Sequence, residues 1–115
     1  MFPEPFQEIT VTELAQRLAE PESGLQLIDV REPVEVGLAA IAGFQIFPLS
    51  QFREWETQIL ENLDPHQETI VLCHHGIRSA QMCQWLAAQG FTNIKNVMGG
   101  IDAYAQRIDP SIPRY

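Results

Sequence analysis

An α/β fold built on a parallel sheet of about five short strands is predicted by two features of the sequence. Five short runs, at 8–9, 25–30, 45–48, 69–72 and 93–97, are interleaved with stretches of helical periodicity and punctuated by Gly and Pro. The two runs Leu25-Gln26-Leu27-Ile28-Asp29-Val30 and Thr69-Ile70-Val71-Leu72 are nearly continuous in apolar residues, as strands covered on both faces must be. The length of 115 residues suits one domain, able to bury roughly two thirds of its unfolded surface without disulfides or metal.

Taken in order, the first residues hold two prolines and read as an irregular arm over 1–7. Glu8 and Ile9 form a short edge strand. Thr10 and Glu13 then have capping-box spacing for a helix to about Ala19, with Val11, Leu14, Ala15 and Leu18 on one face. Pro21-Glu22-Ser23-Gly24 breaks the chain before the strand at 25–30. Asp29-Val30-Arg31-Glu32-Pro33 closes that strand and should lie beyond its carboxyl end, where ligands gather in α/β sheets. A short helix over 34–40 and a turn at Ile41-Ala42-Gly43 lead to the strand at 45–48, which ends in Pro48. Ser50 is placed to cap a helix from Gln51 to about Asn62, with Phe52, Trp55 and Ile59 as core residues. His66, in a polar turn, reads as surface.

The stretch Cys73-His74-His75-Gly76-Ile77-Arg78-Ser79 joins the apolar run at 69–72 to a helix over 80–89. The first amides of a helix lack partners within it, and Gly76 opens a backbone region closed to most residues, so several N–H groups can converge in an anion-holding nest. A thiol on such a rim is stabilised as thiolate; a free cysteine pKa of about 8.5 falls to roughly 3.5–7.5 in such settings. Cys73 is therefore the candidate nucleophile, with His74, His75, Gly76, Ile77, Arg78 and Ser79 as the cradle. The bland alternative, an inert buried cysteine, is opposed by Gly76, Arg78 and Ser79 around it. Ala80, Cys83, Leu86 and Ala87 share a helical face, so Cys83 reads as core; a resolving thiol is the alternative. The strand at 93–97 is followed by Met98-Gly99-Gly100, where the backbone can pass close to its neighbours, and by a helix over 101–107. The domain thus spans 8–107, and 108–115, with two prolines, reads as an extended tail.

These motifs resemble the rhodanese family of sulfurtransferases, whose loop reads Cys, four residues, then Arg or Thr, often with Gly fourth and Ser after Arg. Cys73, Gly76, Arg78 and Ser79 fit. The resemblance extends over about 8–106. It includes Asp29-Val30-Arg31-Glu32-Pro33 and the Gly99, Gly100 and Ala103 pattern, with Tyr104 at the usual tryptophan and Ala40 at a position that is usually histidine. It implies a three-layer rhodanese-like fold with helices on both faces of the sheet. It also implies transfer of sulfane sulfur from a donor such as thiosulfate to cyanide or a thiol, through a persulfide on Cys73. Asp29, Arg31 and Glu32 are implied as charges bracing the loop, Glu32 being the candidate partner of Arg78. No cofactor beyond the covalent persulfide is expected.

Related phosphatases carry one more loop residue, which would put Ser79 where they need arginine, so phosphatase or arsenate reductase chemistry is the less favoured alternative. A sulfur-carrier or interaction module serving a protein partner is the other. A metal held by Cys73, His74 and His75 is disfavoured, because consecutive residues in a tight loop do not readily face one tetrahedral ion.

Seven basic against fifteen acidic residues give a net charge of -8, which opposes nucleic-acid binding and leaves local positive potential for an anionic donor to Arg78, the amides and the two histidines. The aliphatic runs are too short to span a bilayer, and 1–6 lack the basic and apolar regions of a secretory signal. Two cysteines ten residues apart make neither a disulfide framework nor a CxxC pair, so a reducing cytoplasm is the expected setting.

Overall fold

The computed structural model describes residues 5–20 and 24–115, so the expected chain break at Pro21-Glu22-Ser23 and the first four residues of the arm lie outside the described residues. Ten elements alternate: β1 (Gln7–Ile9), α1 (Val11–Leu18), β2 (Gln26–Asp29), α2 (Pro33–Leu38), β3 (Gln45–Ile46), α3 (Phe52–Asn62), β4 (Thr69–Leu72), α4 (Ile77–Ala88), β5 (Ile94–Val97) and α5 (Gly100–Arg107). The five strands form one sheet in the order β1-β5-β4-β2-β3, with every neighbouring pair parallel. This is the expected α/β architecture.

Strand periodicity divides the core in two, because successive side chains point to opposite faces. Ile28, Val30 and Val71 pack on one face against Trp55 and Ile59 of α3 and Met82, Cys83 and Leu86 of α4. On the other face, Ile70, Leu72 and Val97 meet Val11 and Leu14 of α1 and Ile101 of α5. All four residues of β4 are buried, as befits the middle strand.

Local chemistry accounts for several boundaries. The Thr10–Glu13 capping box forms in both directions at the start of α1. The cap expected of Ser50 does not form. Leu49–Gln51 make a 3-10 turn, Gln51 takes the N-cap position of α3 without a side-chain bond, and Ser50 Oγ donates to Glu32 at 2.5 Å. The 3-10 turn places Ser50 one residue ahead of the N-cap position, and tertiary packing brings its hydroxyl to Glu32. Trp55 Nε1 donates to the Pro48 carbonyl, and its ring sits edge-on to Phe47, Phe52 and Trp85, a core role for the aromatic stripe. His66 is exposed, with its Nδ1 3.1 Å from Thr92 Oγ1.

The carboxyl ends of β2, β4 and β5 converge on one edge of the sheet. There the Cys73 and His74 carbonyls accept from the Ile101 and Asp102 amides at the start of α5, at 2.9 and 3.1 Å. Gly100 permits this approach. It has φ +60°, and a Cβ there would lie 2.4 Å from both carbonyl oxygens.

Candidate active site

Cys73 follows the last residue of the central strand, and Gly76, at φ +100°, turns the chain into α4 as its N-cap. That turn aims the Gly76 N–H at Cys73 Sγ, 3.0 Å away, the one amide hydrogen-bonded to the sulfur among the described residues. Ser79 Oγ stands 3.2 Å from the same sulfur. The side chain therefore points into the loop, although the residue is only 1% exposed and packs along the α3–α4 side of the core. The helix places its unpartnered first amides on the same side.

Arg78 reaches Glu35, with Nη1 and Nη2 at 2.5 and 2.8 Å from its two carboxylate oxygens. The partner is thus Glu35 and not the expected Glu32. Glu32 lies in extended conformation just ahead of Pro33, whereas Glu35 is one turn into α2 and faces the loop. Glu35 closes a capping box on the Glu32 amide and accepts from Tyr115 Oη at 2.9 Å. A Glu three residues after an N-cap, with Pro at the first helical position, is the sequence signal that identifies it.

The hydrogen bonds from Arg78 outweigh the opposing effect of burial and hold the Glu35 carboxyl at about 2, against an ordinary 4.5. A folded value below the unfolded one stabilises the protein above pH 4.5, and that stabilisation is lost as pH falls towards 2. Comparing acid unfolding of wild type and Glu35→Gln should show wild type more stable by about 1 kcal/mol near neutrality, after solvent screening of the part-exposed guanidinium. The difference should vanish by about pH 2. A gap that is constant down to that pH would exclude the ion pair as its source.

Asp29 and Arg31 form a fully buried ion pair, Arg31 Nη2 lying 2.7 Å from Asp29 Oδ2 and Nε bonding both carboxylate oxygens. Arg31 Nη1 also donates to the Glu35 carbonyl at 3.3 Å and to Tyr115 Oη at 3.0 Å. The pair at the end of β2 is thereby tied to the helix that holds Arg78.

The tail turns at Asp109–Ser111 and brings Tyr115 back over the loop. The Tyr115 ring stacks on His74 at 3.9 Å between centroids, and His75 stacks on the other side at 3.8 Å. Nothing in the residues of 108–115 signals this. His74 Nε2 is buried without a hydrogen-bond partner, and burial, aided by neighbouring His75, lowers the pKa of His74 from its ordinary value. Both effects disfavour the cationic imidazole expected at the loop mouth.

The metal-ligand set weighed from the sequence does not assemble. The atoms that approach one another, all within 4.8 Å, belong to His74, His75 and Asp102, without the cysteine. Both Asp102 oxygens are bonded to Arg114, at 2.9 and 3.2 Å. Cys83 is fully buried on α4, and burial pushes its thiol well above the ordinary range, which suits the core reading. Ala40 is exposed. A surface hollow of about 620 Å³ along β1, lined by Phe6, Gln7, Glu8, Ile9, Glu13 and Lys95, includes no residue of the loop.

Residues 10–107 match the rhodanese-like domain family. The chain belongs to this family. Among its relatives, rhodanese-like/PpiC domain-containing protein 12, chloroplastic, of Arabidopsis thaliana is 46% identical over 114 residues, 97% of this chain and 38% of that protein. A protein of Allochromatium vinosum named sulfurtransferase is 33% identical over 99 residues, 86% of this chain and 88% of its own. The rhodanese-like domain protein of Staphylococcus aureus superposes with a TM-score of 0.76 at 25% identity, covering 96% of this chain and 99% of that one. The chain spans well under half of the Arabidopsis relative. No helix among the described residues is long and apolar enough to cross a membrane, and the name of that relative places it in the chloroplast, not the cytoplasm expected here.

Proposed function

We propose that this rhodanese-like domain is a sulfurtransferase carrying sulfane sulfur as a persulfide on Cys73. The observation that carries the reading is the single loop turn that sets the Gly76 N–H on Cys73 Sγ at the open start of α4. The Cys73 thiolate attacks the outer sulfur of thiosulfate; a new S–S bond forms, and the donor's own S–S bond breaks with its electron pair leaving on sulfite. A thiophilic acceptor, cyanide or a thiol, then bonds the outer sulfur, and the electron pair returns to Cys73. The amides from His74 to Arg78 stabilise both anionic forms of the cysteine, as oxyanion-hole donors do. His75, Ile77 and the rim of the loop shape the entrance. No bound cofactor is needed.

Phosphate chemistry is opposed by position 79, where a related phosphatase would carry its arginine and this chain has a fully buried serine bonded to Asn96. A second reading, that of a sulfur carrier for a protein partner, is favoured by the charges. Arg78 is neutralised by Glu35, Arg31 by Asp29 and Arg114 by Asp102, so little free positive charge remains to draw a dianion toward a chain of net charge -8. On this reading the donor is a persulfide on another protein.

Intact-mass measurement after thiosulfate treatment should show a gain of one sulfur atom that a reductant removes. Slow loading by thiosulfate with fast loading by a protein persulfide selects the carrier reading. Hydrolysis of aryl phosphates with no sulfur gain would overturn both.

A further inference from the structure

Asn96, in the middle of β5, is 2% exposed, and a polar side chain so placed must spend its donors and acceptor on protein groups. Its Nδ2 donates to the Gly76 carbonyl at 3.1 Å and to the Glu8 carboxylate at 3.1 and 3.2 Å. A carbonyl and a carboxylate only accept, so the amide is held with its NH₂ toward them and its Oδ1 toward Ser79. Oδ1 only accepts as well, which fixes the direction of the next bond: Ser79 Oγ donates to Asn96, at 2.5 Å. Ser79 has a single hydrogen, so what it offers Cys73 Sγ at 3.2 Å is a lone pair.

We infer that Asn96 is a positioning residue for the cysteine: through Ser79 it orients the chain of hydrogen bonds so that the resting sulfur is held as a thiol donating to Ser79. Forming the thiolate requires Ser79 to turn its hydrogen from Asn96 to the sulfur, which strips Oδ1 of its donor inside the core. The Gly76 amide favours the anion while Ser79 and Asn96 oppose it. The cradle therefore restrains the sulfur until a donor or partner arrives. This gives a reason for a buried Ser–Asn pair behind a loop whose amides by themselves would favour the thiolate.

The other titratable groups around the loop are Arg78 and Cys83 of α4, Glu35 of α2, His74 and His75 of the loop, Asp29 and Arg31 after β2, Asp102 of α5 and Tyr115. None of them bonds Ser79 Oγ or the Asn96 amide. Only Glu8 does, and it acts by fixing the amide's orientation.

The inference rests on Cys73 being the reactive sulfur, but its test uses reduced, sulfur-free protein and needs no transfer activity. In a Cys83→Ser background, the rate of alkylation by iodoacetamide is followed against pH. Asn96→Leu frees the Ser79 hydroxyl to serve the thiolate, so alkylation at pH values below the midpoint should rise about tenfold, equivalent to about one unit downward in the profile. In a Ser79→Ala background the same Asn96→Leu change should produce no downward shift. A residue that merely braces the strand would shift both backgrounds alike; that result, or no downward shift with Ser79 present, overturns the inference. The protein without changes at Ser79 or Asn96 gives an independent readout. Its Raman S–H band for Cys73 should lie at the lower frequency of a donating thiol and move up in Ser79→Ala. A band already at the free-thiol position overturns the inference even if Asn96→Leu does not fold.

Discussion

Cys73→Ser should take up no sulfur from thiosulfate or from a protein persulfide, its mass after treatment matching that of the untreated variant. Serine is close in size and hydrogen-bonds the Gly76 amide and the Ser79 hydroxyl as the thiol does, so the fold should survive. What is lost is the nucleophile: a hydroxyl stays protonated where a thiolate forms, and it has no sulfur to join in an S–S bond. Transfer should fall on the order of 10³-fold or more, to the background of uncatalysed exchange. Cys83→Ser should load sulfur like wild type, because Cys83 is fully enclosed by the α3–α4 core and burial keeps its thiol protonated. Sulfur capture that persists without Cys73, or fails without Cys83, would remove the persulfide assignment.

Asp29→Ala should be the costliest single change to stability. It leaves the Arg31 guanidinium, 0% exposed, without the carboxylate that meets its Nε and Nη2. Breaking a buried ion pair by removing one partner costs about 3–5 kcal/mol. At roughly 4 °C per kcal/mol for a chain of this size, the thermal midpoint should drop by about 12–20 °C. The pair is expensive to break, yet its formation is not what drives folding: Asp29→Leu with Arg31→Met removes both charges and should cost less than Asp29→Ala alone. Thermal unfolding of the three proteins measures this; a double variant less stable than the single one would show that the pair's bonds to the Glu35 carbonyl and Tyr115 dominate.

Much of the architecture was legible in the chain. The runs at 25–30 and 69–72 are apolar at successive positions because both faces of a central parallel strand are covered, and Thr10 with Glu13 marks a helix start because both halves of a capping box are local. The loop that begins at Cys73 was legible for the same reason: a thiol, a glycine and a helix start within four residues are bound to one another by chain geometry. Partners further apart in sequence were not. Ser50 had the chemistry of a cap, but a 3-10 turn set it one residue ahead of the N-cap, with its hydroxyl on a carboxylate 18 residues away. Arg78 finds Glu35 in place of Glu32 because one helical turn of α2 decides which acid faces the loop. Asn96, Glu8 and Tyr115 carried no local sign of belonging to the site, since the run at 93–97 mixes polar and apolar residues and does not mark Asn96 as buried.

The sequence by itself determined the strand and helix alternation and the cysteine loop, since periodicity and turn chemistry act between residues a few positions apart. Only the tertiary structure decided which carboxylate holds Arg78, that His74 lies between two rings, and which way the hydrogen bonds run from Cys73 through Ser79 to Asn96. Those contacts join residues from different strands and helices, and their order is set by how the layers pack.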